Sequence, residues 1–390
     1  MTFDSIKPFE DSEVNQALMK QANHPFMQAL MDYAFPTQDT FFYEKRISDC
    51  NSIYDFQGTI IYPALLRVLD ETTAGLSTSG FDELDPSKPY LYISNHRDIV
   101  LDTSLTNMVL FEKGMVMTSS AIGDNLVRDP FLLNFSKLNR NFLVHRSLSP
   151  RELLLSSKNI SSYVQHLQTN ENRSVWLAQR EGRTKDGNDQ TQQGIIKMLT
   201  LAKPKDQSLV EYLRTLNIVP LSISYELDPT DYLKIPELLA TYRNEEYVKT
   251  KNEDFNNILT GVLGKKQRIH ISATRVLREK LAELAKEEIS DKQYLKSITS
   301  QISNQIHQSY MLWPTNYMAH DILFGVKDFS DKYKVEDLAK FEDRVLRKTG
   351  GEDPLIMKSF LAMYAYPVLN KFDYEERKVI LSKELQPISQ

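Results

Sequence analysis

The chain has one cysteine, Cys50, among 390 residues. That excludes an intramolecular disulfide framework and any cysteine-based zinc site, and it fits a reducing compartment. As a nucleophile Cys50 has no support, because no histidine-bearing motif lies near it in sequence. Long apolar runs are missing as well. No stretch approaches the ~18 consecutive apolar residues of a transmembrane helix. The start, Met1-Thr2-Phe3-Asp4-Ser5, lacks the basic and apolar regions of a signal peptide. These absences predict a cytoplasmic protein that would meet a bilayer only peripherally, on its inner face. Excess positive charge is also lacking. A formal net charge of −5 argues against nucleic-acid binding, which needs a basic footprint. The seven histidines are scattered without paired ligand spacing, so neither a metal site nor a cofactor is expected. No Gly-x-Ser-x-Gly elbow occurs, which leaves no candidate for a covalent serine intermediate.

What is present reads as a globular chain long enough for a sizeable core and more than one structural unit. Residues 12–35 carry apolar positions at helical spacing, broken at Pro25 and ended near Pro36, and a second helical pattern covers about 54–69. Residues 1–75 are therefore expected to form an N-terminal helical unit. Short β-prone runs follow: Tyr90–Ile93, Met115–Met117, Phe142–Val144, Val175–Ala178, Ile218–Ser224 and Ile269–Ser272. Helical segments such as 151–167, with Leu154, Ile160, Tyr163, Val164 and Leu167, lie between most of them. This alternation predicts an α/β core over 76–276, a mixed, largely parallel sheet covered by helices on both faces. A polar helical insertion is expected at about 228–266. From 277 to 390 the apolar stripes are helical, predicting a C-terminal helical extension.

The densest chemistry lies at Asn95-His96-Arg97-Asp98-Ile99-Val100-Leu101-Asp102, directly after the apolar run 89–93. A neutral imidazole whose tautomer is held by a carboxylate can take a proton from an alcohol at neutral pH. His96-Arg97-Asp98 matches the catalytic-loop triplet of protein kinases, but the rest of that pattern is missing. Thr103 stands where the metal-holding Asn belongs, no Gly-rich phosphate loop precedes it, and neither Asp-Phe pair continues as Asp-Phe-Gly.

Three further segments complete the set. Gly123-Asp124-Asn125-Leu126 runs through Asp129-Pro130-Phe131 to Asn141-Phe142-Leu143-Val144-His145-Arg146. Val175-Trp176-Leu177-Ala178-Gln179-Arg180-Glu181-Gly182-Arg183-Thr184-Lys185 comes next, and Ile218-Val219-Pro220-Leu221 closes the series. Over about residues 85–225 these four blocks resemble, in order and rough separation, the glycerol-phosphate acyltransferase superfamily. The stretch 123–131 looks like soluble plastid glycerol-3-phosphate acyltransferases. Tyr225-Glu226 with the charged insertion behind it looks like the bacterial ones.

The resemblance implies direct acyl transfer from a thioester of coenzyme A or acyl carrier protein to a hydroxyl of glycerol 3-phosphate, with lysophosphatidate as the alternative acceptor. His96 would be the general base and Asp102 its orienting partner. Arg146 and Arg183 would grip the acceptor phosphate, since guanidinium forks suit that task. Gly182 would let backbone approach the substrate, and Glu181 would hold the arginines or the turn. Arg180 and Lys185 flank that turn, as phosphate contacts or as members of surface salt bridges. His145 reads as a structural neighbour of Arg146.

Two departures from the family's pattern are visible. Five residues rather than four separate His96 from Asp102, so Leu101 sits where the carboxylate is expected and Asp98 becomes an alternative partner. Arg183 follows Gly182 directly, where the family has one residue between them. These departures motivate a competing reading of another class, a non-catalytic lipid- or acyl-carrier-binding protein on the same fold.

Overall fold

The computed structural model describes residues 3–287 and 289–386; positions 1–2 and 387–390, the extremes of the two terminal segments read above, lie outside the described residues. Helices come first. Pro25 does break the first helical pattern: helix Asp11–Gln21 ends before it, and helix Pro25–Ala34 begins on it, with the His24 ring accepting from Phe26 N. A proline is well placed there, because the first helical N–H has no partner anyway. The second pattern is interrupted. Ile53–Phe56 and Tyr62–Thr72 are α-helical, but Gln57–Ile61 between them is a π-helical turn. Pro63 just beyond it lacks the N–H that an α-helix would return to Thr59, so the wider turn relieves a broken ladder. Cys50 lies in the core of this helical region, 1% exposed, its thiol donating to Arg46 O.

Among the described residues seven strands form one sheet: β1 Thr73–Ser79, β2 Leu91–Ser94, β3 Thr118–Gly123, β4 Asn141–Val144, β5 Ser174–Ala178, β6 Ile218–Tyr225 and β7 Gln267–Ala273. Their order is β1-β7-β6-β2-β5-β3-β4. The five strands β6, β2, β5, β3 and β4 run parallel, β7 is antiparallel to β6, and β1 is parallel to β7. The fold is thus α/β with a mixed, largely parallel sheet. Successive residues of the central strands feed opposite cores, as the two-residue strand period requires. Leu91, Ile93, Val175 and Leu177 pack with helices Pro150–Asn170 and Asp291–Ser309, while Tyr92 and Trp176 pack with Tyr62–Thr72 and Leu101–Glu112.

Two sequence expectations are corrected here. Met115 and Met117 are buried but precede the strand, which begins at Thr118; Met115 N donates to Leu110 O and so belongs to the end of the preceding helix. Strand β1 was not anticipated, because Thr-Ala-Gly-Leu-Ser-Thr-Ser is a mostly exposed edge segment with little apolar content. Pro220 inside β6 is tolerated for a local reason. Its carbonyl accepts from Thr274 N, so its missing donor faces β7 just before the β6–β7 ladder starts at Leu221.

Candidate active site

Five parallel strands deliver their C-terminal ends to one edge of the sheet, the usual place for ligand contacts in an open α/β fold. β2 leads to His96, β3 to Asp124, β4 to His145 and Arg146, and β5 to Arg180–Lys185. Asn95 fixes the first of these loops. Its buried amide exchanges two hydrogen bonds with the Ile223 backbone, 2.8 and 2.9 Å, extending β2 against β6 by a side chain instead of a peptide.

His96 Nδ1 lies 2.8 Å from Asp102 Oδ2. The same oxygen accepts from Arg97 N at 2.6 Å and Asp98 N at 3.0 Å, so the loop curls around the carboxylate. The extra residue between His96 and Asp102 is absorbed in that curl, ahead of helix Leu101–Glu112. Asp98 has a different task. Its Oδ1 accepts from Val100 N and Leu101 N, satisfying donors at the helix start. Burial, and then the charge of Asp102, pushes the Asp98 carboxyl above its ordinary range. With a carboxylate accepting at Nδ1, that nitrogen carries the proton. Nε2, which makes no hydrogen bond among the described residues, is left free to accept one. The Trp176 ring packs edge-on against the imidazole, centroids 5.3 Å apart.

The remaining oxygen of Asp102 has a partner that sequence reasoning did not assign. Tyr225, the last residue of β6, donates its phenol to Asp102 Oδ1 at 2.8 Å. Burial first, and then the charges of Asp102 and Asp98, hold that phenol protonated far above its ordinary value. Arg97 was also unassigned. It is buried, pairs with Asp189 and lies over the Tyr310 ring, while Lys234 Nζ donates to its carbonyl. The Arg of the His-Arg-Asp triplet therefore braces the loop from behind. Residues 97 and 189, 92 apart, offer no local pattern from which this could be read.

The basic residues gather around the same edge. Arg146 Nη1 is paired with Glu181 Oε1, and Arg146 N donates to Asp124, which also contacts the His145 ring at 3.1 Å. Gly182 turns with φ +68°, a left-handed conformation that a side chain would strain. Thr184 N then donates to His96 O at 2.8 Å, stitching this turn to the histidine loop. Lys185 Nζ is 2.7 Å from Glu237 of helix Ile235–Tyr242, so it ties the insertion to the turn. Arg180 Nε and Arg183 Nη1 are buried without any acceptor. Unpaired buried donors are costly; these two nitrogens are shut off from solvent, while both arginines line an open space beside them.

That space is a cavity of about 1360 Å³, above the roughly 300–1,000 Å³ of ordinary small-molecule pockets. His96, Arg146, Arg180, Gly182, Arg183 and Lys185 line it together. So do Leu101, Ser104, Met108 and Phe111, one face of helix Leu101–Glu112 at helical spacing. From Leu101 to Phe111 that face is about 15 Å long by helix rise. Apolar side chains from Pro25–Ala34, Tyr62–Thr72, Pro130–Leu138 and Glu253–Leu263 supply much of the remaining wall. The site can thus take a proton at one point, hold an anion beside it, and shelter a long apolar group. Among the described residues no three His, Cys, Asp or Glu side chains converge as a metal centre would need.

No protein-family model matches this sequence, and no curated protein matches it. Among solved structures the chain is similar to the 1-acyl-sn-glycerophosphate (LPA) acyltransferase PlsC from Thermotoga maritima, at 11% identity and a TM-score of 0.33, over 73% of this chain and 94% of that one.

Proposed function

We propose that this protein is an O-acyltransferase of glycerolipid synthesis that moves a fatty acyl group from a coenzyme A or acyl-carrier-protein thioester to a hydroxyl of glycerol 3-phosphate. The observation that carries the reading is the His96–Asp102 pair opening, beside Arg180 and Arg183, into one long apolar cavity. His96 Nε2 takes the proton as the acceptor oxygen attacks the thioester carbonyl. Asp102 holds the ring and stabilises the imidazolium that forms. The C–S bond then breaks, and the leaving thiolate recovers the proton from His96. Arg180 and Arg183 bind the acceptor phosphate, with Arg146 held in place by Glu181. The acyl chain lies along helix Leu101–Glu112, where ~15 Å accommodates about a dozen methylenes at ~1.3 Å each along a zigzag of carbon bonds.

The test is acceptor-dependent release of free thiol from acyl-CoA, run with glycerol 3-phosphate and with lysophosphatidate. His96→Ala is expected to lower the rate by roughly 10²- to 10⁴-fold with the fold intact by circular dichroism. Near-normal turnover in that variant would remove the mechanism. Absence of acceptor-dependent release from the parent would favour a non-catalytic lipid or acyl-carrier binder.

A further inference from the structure

Helix Pro150–Asn170 begins on the loop that follows Arg146, and its first two turns carry Leu153, Leu154 and Leu155, exposed by 54%, 60% and 61%. The helical pattern places Leu154 in one apolar series with Ile160, Tyr163, Val164 and Leu167, yet those four are buried and the leucines are not. Three successive helical residues point over about 200° of the helix circumference. A groove on a partner protein would take one stripe of a helix. Leucines fanned out in this way suit a fluid apolar layer that can receive them from several directions.

The surrounding charge agrees with such a layer if it is anionic. Arg151 and Lys158 are exposed on either side of the leucines and, among the described residues, neither enters an ion pair or a side-chain hydrogen bond. The carboxylate beside Arg151 in sequence, Glu152, is occupied in a capping box with Ser149, and Glu181, on the same cavity, is paired with Arg146.

The patch is also continuous with the cavity. Leu153 lines it, together with the exposed Phe26 and Leu259 from two other helices.

We propose that the N-terminal turns of helix Pro150–Asn170 dock the protein on an anionic phospholipid surface, Leu153–Leu155 entering the acyl boundary and Arg151 and Lys158 meeting the headgroups, so that the cavity mouth faces the bilayer. The proposal rests on the acyltransferase reading for its purpose but is tested apart from it.

Purified full-length protein is sedimented with vesicles of phosphatidylcholine, with or without phosphatidylglycerol, in the absence of donor and acceptor. Binding is expected only with phosphatidylglycerol present, and it weakens as salt rises. Leu154→Ser with Leu155→Ser, neither of which lines the cavity, lowers vesicle partitioning roughly 10- to 100-fold. Arg151→Gln with Lys158→Gln lowers it in the same direction. In both variants acyl transfer between soluble substrates is unchanged. Vesicle binding unaffected by the leucine pair, indifferent to anionic lipid, or absent from the parent overturns the proposal. A concentration-dependent dimer abolished by the leucine variants would assign the patch to self-association instead. If the parent binds vesicles through these residues but transfers no acyl group, docking stands and the catalytic reading fails.

Discussion

At Tyr225 the phenol reaches Asp102 Oδ1 across 123 residues of chain, and this contact sets how much negative charge the carboxylate presents to His96. A hydrogen bond to a charged group contributes about 1.5–3 kcal/mol. With the phenol gone, as in Tyr225→Phe, that oxygen loses its partner and the carboxylate is less firmly aimed at the imidazole. Tyr225→Phe should lower kcat roughly tenfold and leave the acceptor KM unchanged. A kcat equal to the parent's would reduce Tyr225 to packing. The sequence already contained His96, Asp102 and the basic residues, because strand-end motifs are local. The choice between Asp102 and Asp98 was not local. It depends on how a five-residue spacer curls, and the backbone N–H groups of Arg97 and Asp98 decide it by converging on Asp102.

Helix Glu253–Leu263 shows how closely one element can be fitted to the site. A side chain begun at Gly261 would place Cβ 2.1 Å from Asp98 Oδ2, so the helix rests directly on the carboxylate that caps helix Leu101–Glu112. In an exposed helix Gly→Ala gains about 1 kcal/mol. Here Gly261→Ala must displace a buried carboxylate or the whole helix, and a net loss of about 1–3 kcal/mol is expected, read as a lower urea midpoint with the slope unchanged. Because Ile258 and Val262 of the same helix line the cavity, that variant should also perturb ligand binding. Elements were legible where their apolar pattern was strong, as in β2, β5 and β6, whose residues are almost all buried. They were misread where burial and pattern part company. Met115 and Met117 are core residues outside a strand, and β1 is a strand with little core.

On the scale of the whole molecule, the C-terminal helices are tied to the insertion after β6 through charge as well as apolar contact. Asp231, fully buried at the start of the insertion, receives Arg344 Nη2 and, at 2.7 Å, the phenol of Tyr364. Both partners come from helices more than a hundred residues away. Arg344→Ala leaves that carboxylate with the phenol as its remaining long-range partner, and a loss of about 3 kcal/mol is expected, measured by equilibrium unfolding of the full chain. The convergence of four sequence blocks was readable in advance for a topological reason: parallel strands all end on the same side. No comparable rule connects residue 231 with 344 and 364, so the brace appears only in three dimensions.

Cys50 closes a further circle at this scale. Its sulfur is sealed among the N-terminal helices, 1% exposed, and burial raises its pKa, so the thiolate that reacts with disulfide dyes is scarce and sheltered. A colorimetric thiol reagent added to the native protein should therefore register liberated coenzyme and hardly the polypeptide. Equally, a cysteine placed at position 154 would be the single reactive handle on the molecule, ready to carry a polarity-sensitive fluorophore to the leucine-bearing turn.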